Sequence, residues 1–132
     1  KDEERVVCSS FQHPFYPNRH FDAPGERLIL TPINAGSDGT VSRNKVEKDF
    51  LPALDAFKPE LVLISAGFDA HTKDPLGELN FVEDDYRWIT TLINDVANRH
   101  SQSRIVSILE GGYHLGALGR SVCAHIEMML ND

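Results

Sequence analysis

Leu61-Val62-Leu63-Ile64-Ser65-Ala66-Gly67-Phe68-Asp69-Ala70-His71-Thr72-Lys73-Asp74-Pro75-Leu76-Gly77 opens with four consecutive aliphatic residues. Such a run reads as a strand buried on both faces, the habit of a parallel sheet. It ends in three small residues, Ser65-Ala66-Gly67. Three ionisable groups of metal-binding type then follow closely: Asp69, His71 and Asp74. In open α/β sheets, ligands sit beyond the carboxyl ends of the strands, so a polar loop at this point is where chemistry is expected. Spacing alone leaves another reading open. Asp69 and Asp74 are also the residue type that caps turns and helices.

Upstream of this stretch, Ser42 to Phe57 reads as a helix, with Val46, Phe50, Leu54 and Phe57 forming one apolar stripe. Pro52 should kink or split it, and Lys58-Pro59 should end it. Val6 to Ser10 and Leu28 to Ile33 read as strands, with Pro32 marking an edge or an end of the second. Between them lie an aromatic loop, Phe11 to Pro17, and an irregular polar run, Asn18 to Glu26, with a turn signal at Pro24-Gly25. Downstream, Glu83 to Arg99 reads as a helix with Asp84 and Asp85 at its favourable N-terminal end. Its stripe is Tyr86, Ile89, Leu92 or Ile93, and Val96, with Trp88 partly exposed. Arg104 to Leu109 is a last strand, broken by Gly111-Gly112. Leu115 to Leu130 closes the chain as a helix expected to bury Leu115, Leu118, Val122, Ile126 and Met129. The final βαβα alternation implies parallel strands with right-handed crossovers, so the fold class is α/β, a mainly parallel sheet flanked by helices.

The 132 residues suffice for one domain with one core. The net charge of −7, with lysines and arginines scattered along the chain, argues against direct nucleic-acid binding, which needs a basic face. The same acidity suits cationic partners such as lysine-rich tails or polyamines. No apolar run approaches the ~18 residues of a membrane helix. No signal peptide is visible behind Lys1-Asp2-Glu3-Glu4-Arg5, which gives a cytoplasmic expectation, or a nuclear one in a eukaryote. Cys8 and Cys123 have no metal-type spacing and read as buried thiols in a reducing compartment. His13, His20, His100, His114 and His125 have no partner at ligand spacing and read as surface or satisfied histidines.

The stretch Ser65-Ala66-Gly67-Phe68-Asp69-Ala70-His71, continued by Asp74-Pro75-Leu76-Gly77, resembles the signature loop of the zinc-dependent histone deacetylase family. The likeness is to its class II-like branch and to bacterial relatives that include acetylpolyamine amidohydrolases. Leu109-Glu110-Gly111-Gly112-Tyr113 resembles the glycine-rich catalytic loop of the same family. The resemblance runs from about Val6 to Leu130 but matches only the C-terminal part of a family member, of arginase/deacetylase-type fold. It implies a zinc-dependent deacetylase acting on acetylated lysine side chains. Acetylpolyamines, other small acyl amides or a non-catalytic binding module are the alternatives.

Under that resemblance Asp74 takes the place of a zinc ligand. Zinc would lower the pKa of a bound water and polarise the amide carbonyl. Tyr113 takes the place of the tyrosine that donates to the developing oxyanion. Asp69 and His71, which spacing alone leaves open as ligands, are implied to orient the loop by hydrogen bonds, with Gly111 and Gly112 allowing its backbone path. Phe15 and Tyr16 resemble the aromatic pair at the mouth of the substrate tunnel. Ser9 and Ser10 match a site where some relatives hold potassium, although Phe11 stands where many relatives have His. This chain has no His-His dipeptide like the family's tandem pair, and no Asp-x-His besides Asp69-Ala70-His71, which belongs to the signature loop rather than to the family's ligand-bearing element. Residues 1–132 are therefore expected to be the C-terminal portion of one deacetylase-like domain, inactive alone. As a homo-oligomer or with its missing half, such a piece would cover the apolar face it exposes.

Overall fold

The computed structural model describes residues 4–16 and 26–131. The elements follow the expected order: β1 (Val7–Gln12), β2 (Leu28–Ile33), α1 (Gly39–Phe57), β3 (Val62–Ala66), α2 (Glu83–His100), β4 (Ile105–Leu109) and α3 (Leu115–Leu130). The expected turn at Pro24-Gly25, most of the irregular run before it, and His20 lie outside the described residues. β1 pairs with β2 and β3 with β4, both in parallel, as two two-stranded sheets. Pro32 does not end its strand. It pairs in register with Phe11, and the strand runs on to Ile33. Among the described residues no helix is long and apolar enough to cross a membrane.

α1 begins three residues before the expected start because Asp38 caps it. The Asp38 carboxylate accepts the Val41 N–H, and its carbonyl takes both the N–H and the hydroxyl of Ser42. The helix is not split by Pro52 and stays continuous to Phe57. Pro52 and Lys48, whose carbonyl loses its partner, both lie on the exposed face, where water can replace the missing bond. Lys58 closes the helix in a left-handed conformation, φ 54°, with Pro59 behind it. Thr31 on β2 donates to Asp49 on α1 at 2.7 Å, and Arg43 pairs with Asp85 on α2 at 2.7 Å.

The aliphatic run that opens the decisive stretch is covered on one face only, which corrects the expectation of burial on both. Side chains alternate along a strand. Ile64 and Ala66 pack against Phe68, Phe81 and Tyr86 and against Leu118 and Val122 of α3. Leu63 on the opposite face is 67% exposed, and Val106, Ile108 and Leu109 of β4 are exposed too. On α3 the expected stripe is covered only in part: Leu118 and Val122 are partly buried against the sheet, while the most deeply buried positions lie one residue earlier along the helix or next to it. These are Ala117, Ser121, Ala124 and His125, on the helix that packs against α2. Leu115, expected to be buried, is 81% exposed, and Ile126 is exposed as well. The thiols also differ from expectation: Cys123 is exposed, while Cys8 is half-buried, with its pKa pushed up to about 11 by burial.

His125 is buried and satisfied at both nitrogens. Thr90 Oγ1 donates to the Tyr86 carbonyl at 2.6 Å, so it accepts from His125 Nδ1 at 2.7 Å. Nε2 is then the acceptor for the Ser107 hydroxyl at 2.8 Å, which pins α3 to β4. Burial lowers the pKa of this imidazole and keeps it neutral. The unfolded chain therefore takes up this proton more readily than the folded one. The contribution to stability is complete above the unfolded histidine pKa of ~6.5 and is lost as pH falls from there towards the lower folded pKa. The slope should reach up to ~1.4 kcal/mol per pH unit. Thermal melts between about pH 8 and pH 5 measure it, and His125→Gln should flatten the curve over that window. An equally steep curve in the variant would assign the loss to other groups.

Candidate active site

The parallel pairing of β3 and β4 continues past the strand ends. The Glu110 N–H donates to the Ala66 carbonyl at 2.9 Å, and the Phe68 N–H donates to the Gly111 carbonyl at 2.8 Å. This extension sets the signature loop and the glycine loop side by side at the carboxyl end of the sheet. Phe68 anchors the first turn: it is buried, its ring lies 5.0 Å from Tyr86, and its carbonyl accepts the Tyr86 hydroxyl at 3.1 Å.

The Asp74 carboxylate joins the two loops. Oδ1 accepts the N–H groups of Leu76 and Gly77, both at 2.9 Å, and Oδ2 accepts the Tyr113 N–H at 2.9 Å. Asp74 is only 9% exposed. Burial pushes its pKa up, but the three backbone donors, helped by His114, outweigh that and hold the carboxyl below its usual range. It is therefore an ionised, oriented carboxylate. A carboxylate has about four acceptor positions. Three are filled here, which leaves one on Oδ2.

Asp69 lies beside this centre. Its pKa is raised by partial desolvation and by the negative charges of Asp74 and Glu110. Both glycines leave room that a side chain would fill. A Cβ on Gly111 would come within 2.6 Å of Asp69 Oδ2, and Gly112 has φ +136° with a Cβ position only 2.8 Å from Leu118 Cδ1. Tyr113 follows directly, with its side chain 53% exposed and its backbone tied to Asp74.

His71 is buried, with its imidazole set between the Lys73 N–H and Glu83. Nδ1 accepts the Lys73 N–H at 3.1 Å, so the ring proton resides on Nε2, which lies 3.3 Å from Glu83 Oε1 at an angle outside hydrogen-bond geometry. The same Glu83 oxygen accepts from Arg120 Nε at 2.7 Å. Glu83 is held down to about 2, chiefly by Arg120, with His71 adding to it.

Two further braces hold the signature loop to the neighbouring sheet. Gln12 at the end of β1 bonds the side chain and the backbone N–H of Glu78 at 3.1 and 2.9 Å. The Gly36 N–H donates to the Glu78 carbonyl, and Asn80 bonds Ser37 and Gly36. Gln12, Glu78, Asn80, Glu83 and Arg120 were not singled out by sequence reasoning. Their partners lie far along the chain (66 residues for Gln12 and Glu78, 37 for Glu83 and Arg120), and no local pattern marks such pairs.

The structure thus brings Asp69, His71, Asp74, Gly111, Gly112 and Tyr113 into two adjoining loops. Phe15 and Tyr16 follow β1 just beyond Gln12, at the same end of the sheets; Tyr16 is 83% exposed and Phe15 half-buried. Ser9 and Ser10 lie within β1 opposite Leu30 and Thr31, outside the loops. His114 caps α3 by accepting the Ala117 N–H, and His100 contacts Asp55 at 2.8 Å.

A zinc site uses three or four protein ligands. Among the described residues no group of three or more His, Cys, Asp or Glu could hold a metal ion. The free acceptor position of Asp74 fits one such ligand, and the other described side chains do not complete the set.

A family model described as "Histone deacetylase domain" matches residues 1–129. An uncharacterised protein, slr0245, of Synechocystis is 37% identical over 128 residues, covering 93% of this chain and 40% of that protein. Type-2 histone deacetylase 1 of Dictyostelium discoideum is 46% identical over 103 residues, 76% of this chain and 7% of that protein. Among solved structures, the HDA15 HD domain superposes with a TM-score of 0.85 at 29% identity, covering 98% of this chain and 39% of that one. The chain thus spans at most about two fifths of each of these relatives.

Proposed function

This chain belongs to the histone deacetylase domain family, and from that membership we propose that the protein containing it is a zinc-dependent amidohydrolase that removes acetyl groups from lysine side chains. In this reading residues 1–132 form the C-terminal portion of a single catalytic domain. One observation carries it. The ionised Asp74 carboxylate and the Tyr113 N–H are joined at 2.9 Å at the carboxyl end of β3 and β4, with one carboxylate position still open. Asp74 is then one ligand of the zinc, which when bound supplies an activated water and a Lewis acid. Gly111 and Gly112 place Tyr113 beside that ligand, and its exposed phenol is free to donate a hydrogen bond to a carbonyl oxygen that gains charge. Phe15 and Tyr16 offer flat walls to the apolar stem of an acetylated lysine. The remaining ligands and the proton-transfer base come from residues outside this set.

Acetate release tests the proposal. The protein is assayed on an acetyl-lysine peptide and on an acetylated polyamine, before and after chelation and zinc replacement. Zinc-restored release from the peptide is the expected result. Release from the polyamine alone would move the substrate class to small acetylated amines. No release from either substrate by zinc-loaded protein would overturn the enzymatic reading in favour of a binding module.

A further inference from the structure

We propose that Glu83 and Arg120 are positioning residues for the Asp74 loop, acting through the buried imidazole of His71. The proposal deepens the reading of Asp74 as a metal ligand and rests on it for its functional meaning.

The geometry is a chain of contacts from α3 to the loop. Arg120 Nε on α3 donates to Glu83 Oε1 at the start of α2, and that oxygen faces His71 Nε2 at 3.3 Å. His71 is the pivot of the loop backbone. Its carbonyl accepts the Asp74 N–H at 2.9 Å, its ring accepts the Lys73 N–H, and its neighbours Ala70 and Thr72 are both bonded to Phe81. His71 Nε2 is a buried donor without a hydrogen-bond partner among the described residues, so the Glu83 carboxylate is the one charged group there to hold it. A surface ion pair between Glu83 and Arg120 by itself would contribute little. Here the Glu83 end of the pair faces a 3% exposed histidine three residues from Asp74, so its effect should fall on the loop rather than on the whole fold.

Amide hydrogen exchange followed by NMR reads this directly. The N–H groups of Leu76, Gly77 and Tyr113 donate to Asp74 and report whether its carboxylate stays in place. In Glu83→Ala these three amides should exchange at least about tenfold faster while amides in the middle of α1 keep their rates, the signature of local opening. Glu83→Gln, which keeps the size and an acceptor for Arg120 but loses the charge that faces His71, should restore only part of the protection. Arg120→Ala, a change at an exposed side chain, should give a smaller increase at the same three amides, and it keeps the test available if Glu83→Ala folds poorly. Unchanged exchange at Leu76, Gly77 and Tyr113 in both alanine variants would overturn the proposal. So would an equal rise at every amide, since that reports global destabilisation. The measurement needs no metal and no turnover. The clamp can therefore fail while the metal reading survives, and an Asp74 that proves not to bind zinc leaves the exchange result standing.

Discussion

In the zinc-dependent amidohydrolase proposed to contain this chain, Asp74→Asn is expected to lower turnover at least ~10²-fold and to strip the zinc, since even changes behind a metal ligand cost 10–100-fold. The substitution keeps the size of the side chain but removes its charge and half of its acceptors. Asp74 accepts on both oxygens, from Leu76 and Gly77 on one and from Tyr113 on the other. An amide has one oxygen, so in either orientation its NH2 group meets a backbone N–H. A buried donor left unmade costs roughly 1–3 kcal/mol, so the variant should also melt earlier. Zinc per chain by elemental analysis, turnover, and circular dichroism on the same sample separate ligand loss from unfolding. A folded variant with wild-type zinc and wild-type turnover would remove Asp74 from the metal site.

Tyr113→Phe is expected to reduce kcat by roughly 10²–10³-fold, the usual consequence of removing one oxyanion donor. Zinc content and stability should barely move. The link between Tyr113 and Asp74 runs through the backbone N–H, which phenylalanine retains, and the side chain is half-exposed. The loss should therefore appear in kcat with KM nearly constant, because the hydrogen bond strengthens only as charge develops on the oxygen. Steady-state kinetics beside a zinc assay give the answer. Turnover equal to wild type would end the assignment of Tyr113 as the donor.

The two loops were legible in the sequence for a local reason. Asp74, Gly111, Gly112 and Tyr113 stand in short motifs whose spacing follows from the turns they make. The braces were not legible. Gln12 finds Glu78, and Glu83 finds both His71 and Arg120, only when separate elements pack together. His71 illustrates the difference. Spacing left it open as a ligand, and only the structure shows its ring turned towards Glu83.

The sequence by itself determined the element order, the parallel βαβα class and the helix limits at Lys58 and Leu130, because periodicity and cap residues act within a few positions of chain. Tertiary structure decided which apolar residues are covered. Leu63 and Ile108 read as core from their chemistry, yet they lie on the face of the β3–β4 sheet opposite α2 and α3. Leu115 and Ile126 are exposed, while Ala117, Ser121 and Ala124 take the buried positions of α3. The physical reason is one of range. Hydrophobic patterning states which surfaces need cover, and the packing partners that supply it are set by contacts between distant parts of the chain.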